Sequence, residues 1–221
     1  MGDTPRNTTR QREAGAASRA ETRRRLIAAA RELFSEQGYS ATTVTTIARR
    51  AGVSLQTLYL ACGSKRALLQ VVLSQALSGT PSGIGSGYLT GLRAQMVSAA
   101  DEAYPEPERT LRAFTRVFRT IAERAETWWR VYRDAAAIDP EIAEDWATLT
   151  ARRRMTTAAL LQDLADAHLP PGLTRRALVD TAWAIASPET CQLLSNHAGY
   201  TLDDYERWMA DTLSRVVAPA A

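Results

Sequence analysis

Apolar residues recur along this chain three or four positions apart, and no stretch alternates apolar and polar residues as a strand would. The first such stripe falls in residues 19–37, and its members are Leu26, Ile27, Ala30, Leu33 and Phe34. Spacing of this kind places the apolar side chains on one face of a helix. Because the same spacing continues through the rest of the sequence, the pattern predicts an all-α protein.

Two short helices are predicted on either side of the tripeptide Ala51-Gly52-Val53, and they span about residues 43–50 and 54–61. Gly52 can adopt the left-handed conformation that a tight turn between helices needs. Either Thr42 or Thr43 can cap the first helix, and Ser54 can cap the second. Two short helices joined by a glycine-containing turn are the geometry of the DNA-binding helix-turn-helix.

Beyond this pair the pattern stays helical. Ser64 can cap a fourth helix that begins at Lys65, and the segment 78–87, rich in Gly and Ser, interrupts the chain after that helix. Later helices are predicted at about residues 88–100, 107–125, 126–137, 140–168, 174–186, 188–198 and 202–217. Pro170-Pro171-Gly172 marks the end of the long helix that starts at Pro140.

The predicted helix at 54–61 has two unlike faces. Thr57, Leu58 and Ala61 fall on the side that we expect to pack inward, and the other side holds Leu55, Gln56, Tyr59 and Leu60. If the outer side enters a major groove, Gln56 can make a bidentate contact with adenine and Leu55 can meet a thymine methyl group. The Tyr59 hydroxyl would reach a phosphate. The alternative is that the leucines and the tyrosine form an ordinary protein–protein patch.

Charge is distributed unevenly along the chain. The first 70 residues hold 12 Lys/Arg and 5 Asp/Glu, a net charge of +7, whereas the other 151 residues hold 15 and 19, a net charge of −4. Basic charge that coincides with a helix-turn-helix is what phosphate binding requires. The charge distribution therefore supports DNA as the partner.

Two groups of arginines in this basic segment leave alternatives open. Residues 1–18 lack apolar periodicity, and we expect them to form a disordered tail. Four arginines lie in or next to this tail, namely Arg6, Arg10, Arg12 and Arg19. They could reach phosphates or a minor groove, or could simply be solvated. Arg23, Arg24 and Arg25 stand at the expected start of the first helix, where cations oppose the helix dipole. Bound DNA phosphate would explain them, and so would a solvated face.

Several short motifs follow one another between Glu21 and Leu73. They are Phe34-x3-Gly38-Tyr39, then Ala41-Thr42-Thr43-Val44-x2-Ile47-Ala48-x2-Ala51-Gly52-Val53-Ser54, then Thr57-Leu58-Tyr59, then Ser64-Lys65-x2-Leu68-Leu69. With these motifs the segment resembles the N-terminal domain of the tetracycline-repressor (TetR) family. One departure is the pair Ala61-Cys62, where members usually have His-Phe. Cys62 would fill a core position with less volume, and a histidine contact to phosphate would be lost.

The resemblance implies a division of the chain into a three-helix helix-turn-helix DNA-binding domain at 19–65 and a helical ligand-binding and dimerisation domain at 66–221. Members dimerise through their last two long helices, here 174–186 and 202–217. A twofold dimer reads a near-palindromic operator in double-stranded DNA.

The resemblance also implies roles for individual residues. The positions at or near phosphate-binding ones are Thr43, Tyr59 and Lys65. The base-facing positions are Ser54, Leu55 and Gln56.

Aromatic residues cluster in the C-terminal region and could enclose an apolar cavity for a small-molecule effector. They are Phe114, Phe118, Trp128, Trp129, Tyr132, Trp146 and Trp183. We expect two or three of them to touch the ligand. Polar groups that could orient the ligand are Gln95, Arg116, Tyr132 and Asn196.

The sequence lacks the residue patterns of an enzyme. His168 and His197 lie on separate segments, away from any carboxylate or cysteine motif, and no serine lies in a nucleophile-elbow sequence. The segment SGIGSG does not lie between a strand and a helix, so it fails as a phosphate loop. Cys62 and Cys191 have no short Cys/His spacing, which argues against a structural zinc site or a disulfide framework. We therefore predict no catalysis, no metal and no cofactor.

The two cysteines, which show no pairing pattern, fit a reducing cytoplasm, and hydropathy predicts neither a membrane span nor secretion. No apolar run approaches the ~20 residues that a membrane-spanning helix needs, and the polar N-terminus lacks the apolar segment of a secretory signal. We expect no membrane partner and a location at the nucleoid.

Together these observations predict a dimeric, sequence-specific, ligand-responsive regulator of transcription, a repressor that a small apolar molecule releases from DNA. Two alternatives remain open. One is an activator, or a regulator without a ligand, of the same fold. The other is a helical small-molecule enzyme or carrier with an incidental helix-turn-helix.

Overall fold

A computed structural model describes residues 5–166 and 169–217, with side chains from residue 12 onward. Within these ranges all the regular elements are helices, which confirms the predicted all-α class. They are α1 Pro5–Ala41, α2 Val44–Ala51, α3 Leu55–Cys62, α4 Lys65–Ser78, α5 Tyr88–Ala99, α6 Glu108–Ala136, α7 Pro140–Leu160, α8 Arg175–Ile185, α9 Pro188–Ala198 and α10 Leu202–Val217. In those described ranges, no helix is both long and apolar enough to cross a membrane.

The N-terminal end differs from the expected disordered tail, because α1 begins at Pro5. The segment after Pro5 is rich in Ala, Arg, Gln and Glu and contains no further proline, so helix propensity is sufficient to extend α1 backward. Residues 1–4 and the side chains of Arg6 and Arg10 lie outside the described residues. One consequence concerns Arg23–Arg25, which lie in the middle of α1 and not at its start. The helix dipole therefore gives no reason for these arginines to need a phosphate.

Two predicted boundaries in the C-terminal region are also wrong. The helices expected at 107–125 and 126–137 are a single helix, α6, because no residue between them breaks the helical pattern. The helix expected to reach His168 ends at Leu160, and His168 itself lies outside the described residues. Carbonyl groups just beyond Leu160 are bound instead by a side chain of α8. Arg175 donates to the carbonyl oxygens of Leu161, at 2.9 Å, and Leu164. This side chain supplies bonds that a continued helix would have made.

The first three helices pack around one apolar centre against α4. The residues at this centre are Leu26, Phe34, Ile47, Leu58, Leu68 and Leu69, all buried. α1 kinks at Gly38, which has φ 76° and ψ 178°. The buried Thr42 closes this corner, because its hydroxyl lies 2.8 Å from the carbonyl oxygen of Gly38.

α6 is the central helix of the C-terminal bundle and contacts α1, α4, α5, α7, α9 and α10. Its buried face includes Leu111, Phe114, Phe118, Trp129 and Tyr132. α4 contacts both α1 and α6, so it joins the N-terminal three-helix unit to the bundle, as α1 also does through its own contact with α6.

Candidate nucleic-acid interface and ligand cavity

The turn between α2 and α3 has the geometry that the sequence predicts. Gly52 adopts φ 66° and ψ 40°, in the left-handed region, and its N–H bonds back to the last turn of α2. Thr43 caps α2, since its side chain accepts from the Thr46 amide and the Thr46 side chain accepts from the Thr43 amide. Ser54 caps α3 by accepting from the Thr57 amide at 3.1 Å. The two helices are therefore held by caps encoded within a dozen residues.

The two faces of α3 are arranged as the helical wheel indicates. Leu58 is fully buried, whereas Leu55, Tyr59 and Leu60 are 39%, 50% and 83% exposed. Gln56 is exposed as well. α3 thus presents an amide, a phenol and two leucines on one open face, which we call the α3 outer face: Leu55, Gln56, Tyr59 and Leu60.

Arg23 and Arg25 on α1 hold the ends of the two short helices. Arg25 donates to the carbonyl oxygens of Ala51 and Gly52, where α2 ends. Arg23 donates to the carbonyl oxygen of Ala61, near the end of α3, at 2.9 Å. A cation at the C-terminal end of a helix binds the free carbonyl groups and complements the dipole. Neither sequence interpretation, phosphate contact or solvated face, included this role, because the partners lie 26 and 38 residues away.

Lys65 points back into the N-terminal unit. Its ammonium group donates to the carbonyl oxygens of Tyr39 and Thr42, both at 2.9 Å, and lies 3.8 Å from the centre of the Tyr39 ring. Burial lowers the pKa of this lysine. Two of its three N–H groups therefore join the start of α4 to the corner between α1 and α2.

Cys62 is half-buried and packs against the core beside Ala61. Burial raises the pKa of its thiol, and Arg23 lies 4.0 Å from the sulfur. Thr42 and Thr43 divide the roles left open by the sequence: Thr43 is exposed and caps α2, whereas Thr42 is fully buried and has no access to DNA.

A cavity of about 710 Å³ lies among α4, α5, α6 and α7, and Ala186 and Pro188 line it as well. Its volume falls within the range of sites that enclose small ligands. Most of its lining is apolar, from Leu73 and Leu77 of α4 to Leu89 and Leu92 of α5.

Three of the seven predicted aromatics line this cavity: Phe118, Trp129 and Tyr132. The other four lie elsewhere. Phe114 packs against Phe118 and Trp146 against Trp129, with ring centroids 4.4 and 4.6 Å apart. Trp128 lies under Arg31 of α1, and Trp183 lies beside Arg153. Of the proposed polar groups only Tyr132 lines the cavity, since Gln95, Arg116 and Asn196 are exposed and lie outside it.

A polar cluster of Arg66, Gln70, Tyr132 and Asp145 closes one side of the cavity; we call it the Arg66–Asp145 cluster. Arg66 grips the Asp145 carboxylate with two nitrogens at 2.6 and 2.7 Å. Gln70 donates to the same carboxylate at 2.7 Å, and the Tyr132 hydroxyl donates at 3.2 Å. Arg66 holds the pKa of Asp145 below its usual value. The cluster joins the first turns of α4 to α6 and α7, and nothing in the sequence pattern indicated it.

Comparison with known proteins agrees with this architecture. Residues 26–72 match the family described as bacterial regulatory proteins, tetR family. The HTH-type transcriptional regulator HbdR of Aromatoleum sp. (strain CIB) is 46% identical over 57 residues, which are 26% of this chain and 25% of that protein. The match thus spans a quarter of the relative's length.

Solved structures extend the likeness to most of the chain. NalD of Pseudomonas aeruginosa, the secondary repressor of the MexAB-OprM multidrug efflux pump, superposes with a TM-score of 0.63 at 18% identity, covering 89% of this chain and 96% of NalD. The TetR-family regulator PfmR of Thermus thermophilus superposes with a TM-score of 0.53 at 20% identity, covering 90% of this chain and 96% of PfmR.

The fold and the open α3 face define a helix-turn-helix protein with a helical C-terminal domain. Residues 26–72 carry the sequence pattern of the tetR family of bacterial regulatory proteins, and the described residues share the fold of the solved regulators NalD and PfmR.

Proposed function

We propose that this protein is a homodimeric, ligand-responsive repressor that binds a near-palindromic operator in double-stranded DNA. The observation that carries the proposal is the α3 outer face, which the capped turn and the arginines of α1 hold open to solvent. A helix of this size presented by such a turn fits the major groove. The net charge of +7 over the first 70 residues supports DNA as the partner.

Within this proposal the contacts to DNA divide into two kinds. Leu55 and Gln56, near the N-terminus of α3, read bases, and the exposed Ser54 lies beside them. Tyr59 and Thr43 are exposed and reach phosphates through their hydroxyl groups. Lys65 has one N–H left for a phosphate, so its main effect is to hold α4 against the corner from which Thr43 projects.

The cavity is the proposed effector site. Phe118, Trp129 and Tyr132 supply aromatic walls, and the mostly apolar lining suits an apolar molecule. The Arg66–Asp145 cluster connects this site with the DNA-binding unit, because Gln70, Tyr132 and Asp145 line the cavity and Arg66 adjoins Lys65 at the start of α4. A ligand that displaces α7 or Tyr132 would shift α4 and thereby the spacing of the two α3 helices in a dimer.

The proposed dimer forms through α8 and α10. Both helices carry half-buried apolar side chains, namely Trp183, Ile185, Trp208 and Val216. Burying such side chains against a second copy would give the twofold symmetry that a near-palindrome needs. In this division the DNA-binding domain spans 19–65, and 66–221 forms the ligand-binding and dimerisation domain. A regulator of this kind acts in the cytoplasm, at the nucleoid.

A selection of bound sequences from a random duplex pool, followed by fluorescence anisotropy at increasing salt, tests the proposal. We expect one enriched inverted repeat and an affinity that falls steeply with salt concentration. Recovery of no common sequence would overturn sequence-specific binding. Transcription from a promoter carrying the repeat, measured with and without the gene, gives the sign of regulation: a rise on deletion supports a repressor, and a fall indicates an activator.

A further inference from the structure

One side chain that lines the cavity, Arg153 of α7, carries a charge that no described carboxylate neutralises directly. Its Nη1 donates to the carbonyl oxygen of Trp183 at 2.9 Å and lies 3.5 Å from that of Ala186. Its guanidinium carbon lies 5.7 Å from the ring centre of Trp129 and 5.0 Å from that of Trp183. Two aromatic rings and two carbonyl groups thus hold the guanidinium in place at the cavity wall.

The Nε of Arg153 is buried and has no hydrogen-bond partner within the described residues. Among the described side chains, no carboxylate oxygen lies within 4.0 Å of an Arg153 nitrogen. The carboxylate that bears on its charge is that of Glu189, which accepts from the Trp129 indole at 2.8 Å. Burial lowers the pKa of Arg153, in keeping with a cation that has lost water without gaining an anion.

The other ionised groups around the cavity are accounted for. Asp145 is neutralised by Arg66 and receives further bonds from Gln70 and Tyr132. Arg152 also lines the cavity, but it is exposed to water. Of the two arginines that line the cavity, Arg153 is therefore the less exposed one, and ring and carbonyl contacts hold it in place.

We propose that the effector is an apolar monocarboxylate, with its carboxylate paired to Arg153 and its hydrocarbon body against Phe118, Leu89 and Leu92. Arg153 is half-buried, and a guanidinium that has lost much of its water without gaining an anion is costly, whereas a carboxylate fits its planar fork with two parallel hydrogen bonds. The mostly apolar lining disfavours a larger polyanion, since the lining holds one cation besides Arg153, namely Arg152, which is exposed to water. This inference rests on the proposed function, because it assigns the ligand of the same effector site.

Isothermal titration calorimetry of the full-length protein with matched probes tests the inference. The probes are octanoate, octanol and octylamine, and 4-phenylbutyrate, 4-phenylbutanol and 4-phenylbutylamine. Members of each set share a body and differ in the head group. We expect each carboxylate to bind about tenfold to a hundredfold more tightly than its alcohol, the range of a charge-assisted hydrogen bond, and the amine to bind most weakly.

Three variants assign the preference to Arg153. Arg153→Met should abolish the advantage of carboxylate over alcohol, whereas Arg154→Met, which removes the same charge one residue away and outside the cavity, should preserve it. Arg153→Lys keeps the charge without the fork, and we expect weaker carboxylate binding with the same order of probes. If Arg153→Met fails to fold, the role of Arg153 is tested by the carboxylate affinity of Arg153→Lys and by the order of probe affinities of the wild-type protein.

The outcomes separate the two proposals. Equal binding of carboxylate and alcohol, or an undiminished preference in Arg153→Met, overturns the role of Arg153 and leaves the cavity as an effector site. Binding of no probe overturns both the carboxylate ligand and this cavity as its site. Operator binding, measured on the same preparation, shows independently whether the DNA-binding part of the proposed function holds.

Discussion

At the scale of single residues, Gly52 sets the angle between α2 and α3. Its φ of 66° is disfavoured for a residue with a side chain, and an added Cβ would lie 2.7 Å from Nη2 of Arg25. An L residue here therefore strains the backbone and displaces the arginine that caps α2.

We predict that Gly52→Ala lowers the free energy of unfolding by about 1–2 kcal/mol, measured by chemical denaturation. Gly91→Ala is the matched control. Gly91 lies inside α5, and an added Cβ meets nothing within 4 Å. Alanine should raise stability there by about 0.5–1 kcal/mol, because glycine is a poor helix former. Equal effects at the two sites would argue against a special role for the turn.

Gln56 is the side chain on which base specificity should depend most. Gln56→Ala should reduce discrimination at one base pair of each half-site by about 1–3 kcal/mol, since a bidentate contact with adenine would be lost. Competition between duplexes that differ at single positions measures this. Gln95→Ala, a change to an exposed glutamine of α5 outside the cavity, is the control. Unchanged site preference in Gln56→Ala would mean that another face of α3 reads the DNA.

At the scale of elements, two charged side chains at the start of α4 bind it to the helix-turn-helix unit on one side and to the C-terminal bundle on the other. Lys65 holds its first residue to the corner between α1 and α2, and Arg66 holds the next to Asp145 of α7. Because these two side chains are adjacent, the proposed function would have a displacement of α7 reach the helix-turn-helix through one turn of helix. The proposed coupling depends on the packing of helices and not on any single motif.

Asp145→Asn should weaken this connection while preserving side-chain shape. We expect the free energy of unfolding to fall by about 1–3 kcal/mol, as for the loss of hydrogen bonds to a charged group. The effect of octanoate on operator affinity should also shrink, which anisotropy with and without octanoate measures. Glu141→Gln is the control, since Glu141 also pairs with Arg66 but its side chain is 73% exposed, against 22% for Asp145. If both variants behave alike, the cluster is not the connection.

Asp145→Asn should also change how the stability of the protein depends on pH in the acid range. The folded pKa of Asp145 lies below its ordinary value of 3.8, so the unfolded chain binds this proton more readily. Its contribution to stability is therefore complete above that ordinary value and is lost as pH falls through the lowered folded pKa. Asp145→Asn should show a smaller loss of stability between neutral and acid pH than the wild-type protein does.

At the scale of the whole molecule, the N-terminal part of the chain carries a net positive charge and the remainder a net negative charge. In the proposed dimer both basic ends face one duplex, and each copy contacts one half-site. Binding of the second half-site is then intramolecular and adds affinity without new kinds of contact.

We predict that scrambling one half of the operator weakens binding about a hundredfold or more. Anisotropy on duplexes with one, both or neither half intact measures the loss, and sedimentation of the same samples gives the stoichiometry. A duplex with both halves shuffled is the control for non-specific binding. Equal affinity for the full and half operators would contradict a dimer that grips both halves.

The sequence alone was sufficient for the local features of this protein. The helix cap at Ser54, the left-handed Gly52 and the inward side of Leu58 all depend on residues within one or two helical turns, whereas the choice of Thr43 over Thr42 as the cap of α2 needed the structure. Interactions at such short range leave a periodic pattern in the sequence, and the predicted helix-turn-helix follows from that pattern. The long helix α6 was divided wrongly, although no residue between the two predicted segments breaks the helical pattern.

Tertiary structure alone decided which side chains act together. Arg66 and Asp145 are 79 residues apart, and Arg25 meets a helix end 26 residues away, so no periodicity indicates either pair. Trp129 lines the cavity and Trp128 does not, although the two are neighbours of the same type, because successive residues of a helix point about 100° apart and only the packing of α6 chooses the side. The uncompensated charge of Arg153 is likewise visible only when the surrounding carboxylates can be located.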